Sequence, residues 1–141
     1  MKKILIINSN YYKSISDNLV NNATKKLAKA NFSISKIDVP GVFEIPIAIR
    51  KNIKKFDGFI ALGCVIKGKT PHFDLICSST FNAIVKISID FNRPISNGII
   101  TALNMKQAIQ RSRNSNIKKS NKGIEAANAI ISILQNVPKK I

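Results

Sequence analysis

The feature that most limits what this chain can fold into is a set of short, unbroken apolar runs separated by amphipathic stretches. Lys3–Asn8 reads Lys-Ile-Leu-Ile-Ile-Asn and Phe59–Ile66 reads Phe-Ile-Ala-Leu-Gly-Cys-Val-Ile. Runs this short, apolar throughout rather than alternating, mark strands buried on both faces. Between them Ile15, Leu19, Val20, Ala23, Leu27 and Ala30 recur at helical spacing, with lysines interspersed. Ser33–Val39 alternates weakly as another strand, and Pro40-Gly41 breaks it. A helical pattern resumes over Glu44–Ile53, where Pro46 is tolerable only in a first turn. A helix over His72–Asp90, a strand over Ile95–Ala102, a short helix over Gln107–Arg113 and a final amphipathic helix over Gly123–Asn136 complete the pattern. Strands alternating with helices require right-handed crossovers and a parallel sheet covered on both faces. The expected fold is therefore an α/β three-layer sandwich around a four-stranded parallel sheet.

One such unit accounts for residues 1–141, since no internal repeat or low-complexity linker divides them. No apolar run approaches the roughly 20 residues a membrane span needs. Lys2-Lys3 followed by Ile4–Ile7 imitates a signal peptide until Asn8-Ser9-Asn10 ends the apolar stretch, so a cytoplasmic location and no membrane partner are expected. Cys64 and Cys77 are too few for a disulfide framework and lack metal-ligand spacing, so both are expected to be reduced and no metal or cofactor is expected. A net charge of +16 raises nucleic acid as a partner. The lysines, however, are spread over the whole chain, and an aromatic content of 6% includes no basic aromatic cluster. No nucleic-acid partner is expected.

Ligands of parallel sheets bind outside the carboxyl ends of the strands. The informative loop is Gly63–Thr70, which matches the phosphate-loop pattern G-x-x-x-x-G-K-[ST] between a strand and a helix. Its interior, Cys64-Val65-Ile66-Lys67, is bulky where amides must curl around phosphates. No apolar strand ends in the aspartate that would hold Mg²⁺; Asp38, the nearest candidate, is on the most polar strand. A nucleotide site is therefore rejected, leaving either an anion site built from amides, a helix N-terminus and two lysines, or a solvated basic turn. His72, the single histidine, follows that loop. It could move protons for a reaction that expels phosphate, or simply begin a helix. Asp74 could orient it or cap the helix. Glu44 stands at another loop mouth and equally suits the first turn of a helix. Arg111 and Lys122 flank a linker rich in Asn, Ser and Lys.

Val39–Pro46, Ala61–Asp74, Gly98–Thr101, Gln107–Arg111 and Asn121–Gly123 stand in the order found in the 6,7-dimethyl-8-ribityllumazine synthase family, which the chain resembles from Lys3 to about Leu134. The resemblance implies a flavodoxin-like sheet and a cofactor-free transferase of riboflavin biosynthesis. Its reaction joins 5-amino-6-(D-ribitylamino)uracil to 3,4-dihydroxy-2-butanone 4-phosphate, forming 6,7-dimethyl-8-ribityllumazine with loss of phosphate and water. It also implies His72, Arg111 and Lys122 as catalytic residues, His72 transferring protons, with Glu125 one helical step beyond Lys122. Lys69, Thr70 and Arg111 would hold the butanone phosphate, arginine's planar fork suiting phosphate oxygens. Val42, Phe43, Glu44, Cys64, Val65 and Ile66 would line the pyrimidine and ribityl site, Glu44 accepting from ribityl hydroxyls and Tyr11 stacking on the ring. Asn97 stands where many members carry phenylalanine and offers a hydrogen bond instead of an apolar wall. Family sites lie between neighbouring subunits of a homopentamer, so Asn97, Arg111 and Lys122 would complete the adjacent chain's site. The Arg111–Gly123 linker is longer than in shell-forming members and lacks their internal glycines. We therefore expect an isolated pentamer, or at most a pair, rather than a shell. The alternative is a carrier that binds lumazine or flavin and has lost the chemistry.

Overall fold

The computed structural model describes residues 1–114 and 121–141. The alternation resolves as β1 (Lys3–Ser9), α1 (Lys13–Lys29), β2 (Ser33–Val39), a 3-10 turn (Val42–Glu44) running into α2 (Ile45–Asn52), β3 (Gly58–Ile66), α3 (His72–Phe91), β4 (Ile95–Ala102), α4 (Met105–Ser112) and α5 (Lys122–Gln135). The strands form one four-stranded, all-parallel sheet in the order β2-β1-β3-β4. Helices cover both faces, giving the expected three-layer, flavodoxin-like arrangement. Residues 115–120 of the Arg111–Gly123 linker, on which the expectation about assembly rested, lie outside the described residues.

β1 is apolar throughout because both its faces are covered. Ile4 and Ile6 pack with Leu19, Ala23 and Leu27 of α1 and with Ala126, Ala127 and Ile130 of α5. Leu5 and Ile7, one residue out of phase, pack with Val42, with Ile45 and Ile49 of α2 and with Ile84 of α3. β2 is an edge strand, and its weak alternation follows from that position. Its Asp38 accepts hydrogen bonds from Asn8 Nδ2 at 2.9 Å and Lys36 Nζ at 3.0 Å, which together hold its carboxyl below the usual range.

Side-chain caps fix the last two helices. α4 begins before the expected Gln107 because Asn104 Oδ1 accepts from Gln107 N at 2.9 Å, while Gln107 Oε1 accepts from Leu103 N at 2.9 Å. Asn121 is fully buried and joins two helix ends. Its Oδ1 accepts from Gly123 N at 2.8 Å, and its Nδ2 donates to Ser112 O at 2.7 Å. That bond ties the start of α5, with Lys122, to the end of α4, with Arg111.

Gly123 lets α5 approach α1 closely: a Cβ there would collide with the Leu19 carbonyl oxygen. Gly123→Ala is expected to cost about 1–3 kcal/mol by urea denaturation, the usual range for overpacking. Gly68→Ala, whose Cβ would meet nothing within 4 Å, should change stability by less than about 0.5 kcal/mol.

Candidate active site

The strand order reverses between β1 and β3, because the chain leaves β1 for β2 on one side and later returns to β1's other side as β3. Such switch points are where open α/β sheets bind ligands. Here the carboxyl ends of β1 and β3 frame a cleft of about 570 Å³.

Three segments build its walls. After β1, Asn10 N donates to Val39 O at 3.2 Å, closing the edge toward β2. Tyr11 then stands 73% exposed at the mouth, edge-on to Tyr12 with ring centroids 5.0 Å apart. An exposed aromatic beside a cleft is suited to stacking on a flat ligand ring. After β2, Pro40-Gly41 turns the chain into the 3-10 turn, where Glu44 N donates to Gly41 O at 3.2 Å. The turn buries Val42 and leaves Phe43 63% exposed. The third segment is the end of β3, Cys64 to Ile66, followed across its loop by His72, the first and exposed residue of α3.

Of the two acids without a hydrogen-bond or ion-pair partner among the described residues, Glu44 and the exposed Asp74, only Glu44 lines the cleft. Asp17 pairs with Lys13 at 2.6 Å and Asp90 with Lys86 at 2.8 Å. The half-buried carboxylate of Glu44 has no hydrogen-bond or ion-pair partner among the described residues, although the chain holds 23 lysines and arginines. It lines the cleft as a free acceptor. Cys64 is a neutral wall: burial pushes its thiol up to about 11, so it is protonated at neutral pH and is no nucleophile. Tyr12's hydroxyl is also raised, first by burial and then by Cys64 and Tyr11.

Tyr11, Val42, Phe43, Glu44, Cys64, Val65, Ile66 and His72, all singled out from sequence, share this cleft. Lys69 and Thr70 do not line it; they lie in the exposed loop between Ile66 and His72. That loop cannot be a nucleotide cradle, because Cys64, Val65 and Ile66 are strand residues paired with Ile100, Thr101 and Ala102. Asp74 sits in the first turn of α3 and does not cap it. Asn97, Arg111 and Lys122 also lie outside the cleft. Asn97 is in mid-β4 opposite Ala61, its Oδ1 accepting from Ile99 N at 2.9 Å. Arg111 is exposed in the last turn of α4, and Lys122 Nζ lies 3.3 Å from Glu125 Oε2.

Ser9, Tyr12 and Ile76 also line the cleft; Ser9 and Tyr12 fall in the Ser9–Lys13 stretch, a strand-end loop where ligands are expected, but the sequence gives none of the three an individual role. Ile76 had a signal, since it falls one helical turn after His72. Ser9 and Tyr12 had only their place beside the strand end. Among the described residues no group of three or more His, Cys, Asp or Glu side chains could hold a metal ion, and no helix is long and apolar enough to cross a membrane.

A flavodoxin-like α/β chain with a neutral-walled cleft, a free carboxylate and an imidazole at its switch point belongs to the class of proteins that bind and transform small molecules. The 6,7-dimethyl-8-ribityllumazine synthase family model matches residues 1–137. Relatives of that name include one from Campylobacter jejuni subsp. jejuni serotype O:23/36 (strain 81-176), 39% identical over 99% of this chain and 91% of its own. Another, from Bartonella tribocorum, is 37% identical over 92% of this chain and 88% of its own. A third, from Corynebacterium kroppenstedtii, is 33% identical over 96% and 84%. The chain belongs to the 6,7-dimethyl-8-ribityllumazine synthase family, enzymes of riboflavin biosynthesis.

Burial of Cys64 has a pH consequence. Its folded-state pKa is raised, so its contribution to stability is full below about pH 9 and is lost as pH rises toward about 11. Relative to Cys64→Ala, the wild type should lose stability over that window in denaturation midpoints taken across pH. Equal slopes would contradict the assignment.

Proposed function

We propose that this protein, acting as one domain over residues 1–141, condenses 5-amino-6-(D-ribitylamino)uracil with 3,4-dihydroxy-2-butanone 4-phosphate. The products are 6,7-dimethyl-8-ribityllumazine, phosphate and two molecules of water. The observation that carries this reading is the meeting of Tyr11, the unpaired Glu44 and His72 in one cleft. Tyr11 stacks on the pyrimidine, Glu44 accepts from ribityl hydroxyls, and Val42, Phe43, Cys64, Val65 and Ile66 enclose the ring and chain. Lys69, Thr70 and Arg111 hold the phosphate of the second substrate. The amine attacks the ketone to give an imine with loss of one water, phosphate leaves by elimination, and the ring closes with loss of a second water. His72 moves protons between these steps, and Lys122 assists beside the same substrate. Juxtaposition of the substrates and proton management supply the rate, with no metal or organic cofactor.

A second copy completes the site in this reading, as part of a homopentamer. Asn97, Arg111 and Lys122 lie away from the cleft of their own chain and are free to face a neighbour's. α3 supports the same reading: only Thr80 and Ile84 are buried along its whole length, while Leu75, Val85 and Ile89 are more than half exposed. A groove lined by Phe43, Pro46, Ile47, Thr80 and Ala83 continues that apolar surface. We place the enzyme in the cytoplasm, with small molecules as substrates and neither nucleic acid nor membrane as partner.

Purified protein given both substrates should form fluorescent lumazine and an equal amount of phosphate without added metal or nucleotide. Product no faster than the uncatalysed background would refute the reading, and retained binding of the uracil would then identify a carrier. His72→Ala should lower kcat by about 10²–10⁴-fold without abolishing turnover, since positioning persists. Arg111→Ala should raise KM for the butanone phosphate and leave that for the uracil unchanged in steady-state kinetics. Sedimentation at physiological salt should give a pentamer or a pair of pentamers. A +16 charge on each chain opposes closer packing, and a hollow shell would contradict this.

A further inference from the structure

Among the described residues, four buried side-chain atoms have no hydrogen-bond partner: Asn8 Oδ1, Ser9 Oγ, Thr80 Oγ1 and Ser96 Oγ. Most buried polar groups find partners, so each exception calls for a reason. Two other buried serines meet the rule. Ser16 Oγ donates to Lys13 O at 3.1 Å and Ser112 Oγ to Ile109 O at 3.2 Å. Of the four exceptions, Ser9 is the one in the wall of the cleft that also holds Glu44 and His72.

Ser9 ends β1 and is 2% exposed. Its side chain lies against the bare backbone of Gly63, and Val42 adjoins the same glycine. A Cβ on Gly63 would stand 2.9 Å from Ser9 Cβ, 3.6 Å from its Oγ and 3.0 Å from Val42 Cγ1. The hydroxyl finds no hydrogen-bond partner among the described residues. The adjacent amide, Asn10 N, is already given to Val39 O. A methyl group would fill this place without desolvating a hydroxyl, so the free protein gains nothing from the oxygen.

We infer that the Ser9 hydroxyl is a substrate-binding group of the cleft, pairing with a hydroxyl of the substrate's ribityl chain. This rests on the function proposed above. Among the polar groups lining the cleft, the Glu44 carboxylate only accepts and the Cys64 thiol donates weakly, while the Tyr11 and Tyr12 hydroxyls can donate. A serine hydroxyl both donates and accepts, as polyol hydroxyls do, so it can meet a ribityl hydroxyl in either sense. Ser9 and Val42 both adjoin Gly63, which puts Ser9 on the side of the cleft where the turn carrying Glu44 begins. One rotation about its Cα–Cβ bond swings Oγ between staggered positions, and a seated ligand supplies the missing partner.

Ser9→Ala tests this with three readouts. KM for 5-amino-6-(D-ribitylamino)uracil and Kd for 6,7-dimethyl-8-ribityllumazine should rise about 5–20-fold, the size of one lost hydrogen bond, while KM for the butanone phosphate stays within about twofold. The thermal midpoint of the free variant should equal or exceed that of the wild type, because an unsatisfied group has been removed. The affinity penalty should vanish for a lumazine probe whose ribityl chain is replaced by an unhydroxylated pentyl chain. Unchanged uracil KM and lumazine Kd would overturn the inference and leave the proposed function standing. So would a lowered midpoint or failure to fold, which would make Ser9 structural. A penalty that persists with the pentyl probe would also overturn it, by placing the partner on the ring. A wild type that neither turns over the substrates nor binds the lumazine would overturn both readings.

Discussion

The pairing of β1 with β2 on one side and with β3 on the other sets where every loop of the cleft can go. Parallel pairing brings the carboxyl ends of all the strands to one edge of the sheet. Burial of both faces of β1 against α1 and α5 on one side and α2 and α3 on the other fixes its register. A one-residue slip would exchange Ile4 and Ile6 with Leu5 and Ile7 and turn the strand's last residues the wrong way. Tyr11, the Val42–Glu44 turn and the end of β3 meet because the strands beneath them cannot slide.

The sheet and its order of elements were legible because a doubly covered strand must be apolar at every position and its crossover helices must be apolar along one stripe. Helix starts were less so. α4 begins where Asn104 and Gln107 exchange hydrogen bonds, a side-chain event that the period of apolar residues does not record. At the cleft, residues beside Pro40-Gly41 and around Gly63–His72 were legible because breakers and motifs mark the strand ends. The phosphate-loop pattern misleads there, since its interior residues are strand rather than curled loop. Ser9 and Tyr12 carried no such mark: their significance comes from burial and from the absence or weakness of neighbours, which only three dimensions display. Asn97, Arg111 and Lys122 are legible as motif residues, yet the fold of one chain does not bring them to its own cleft.

Charge is distributed in keeping with this division of labour. The described lysines are exposed apart from the half-buried Lys122, and several stand in exposed pairs with the few acids. Such pairs contribute little to stability and are screened by salt. Inside the cleft the walls are neutral. Burial keeps the Cys64 thiol and the Tyr12 hydroxyl protonated, so the Glu44 carboxylate meets a ligand without a competing anion beside it. The exposed loop bearing Lys67 and Lys69 adjoins the cleft at both of its ends and provides positive charge next to a site proposed to release phosphate.

The central claim is that the switch-point cleft is the ribityl-pyrimidine site. A crystal structure with bound 6,7-dimethyl-8-ribityllumazine tests it most directly. The bicyclic ring should lie against Tyr11, between the Val42–Glu44 turn and the end of β3, with a ribityl hydroxyl within hydrogen-bonding distance of Glu44. Density for the lumazine elsewhere on the protein, with this cleft empty, would contradict it.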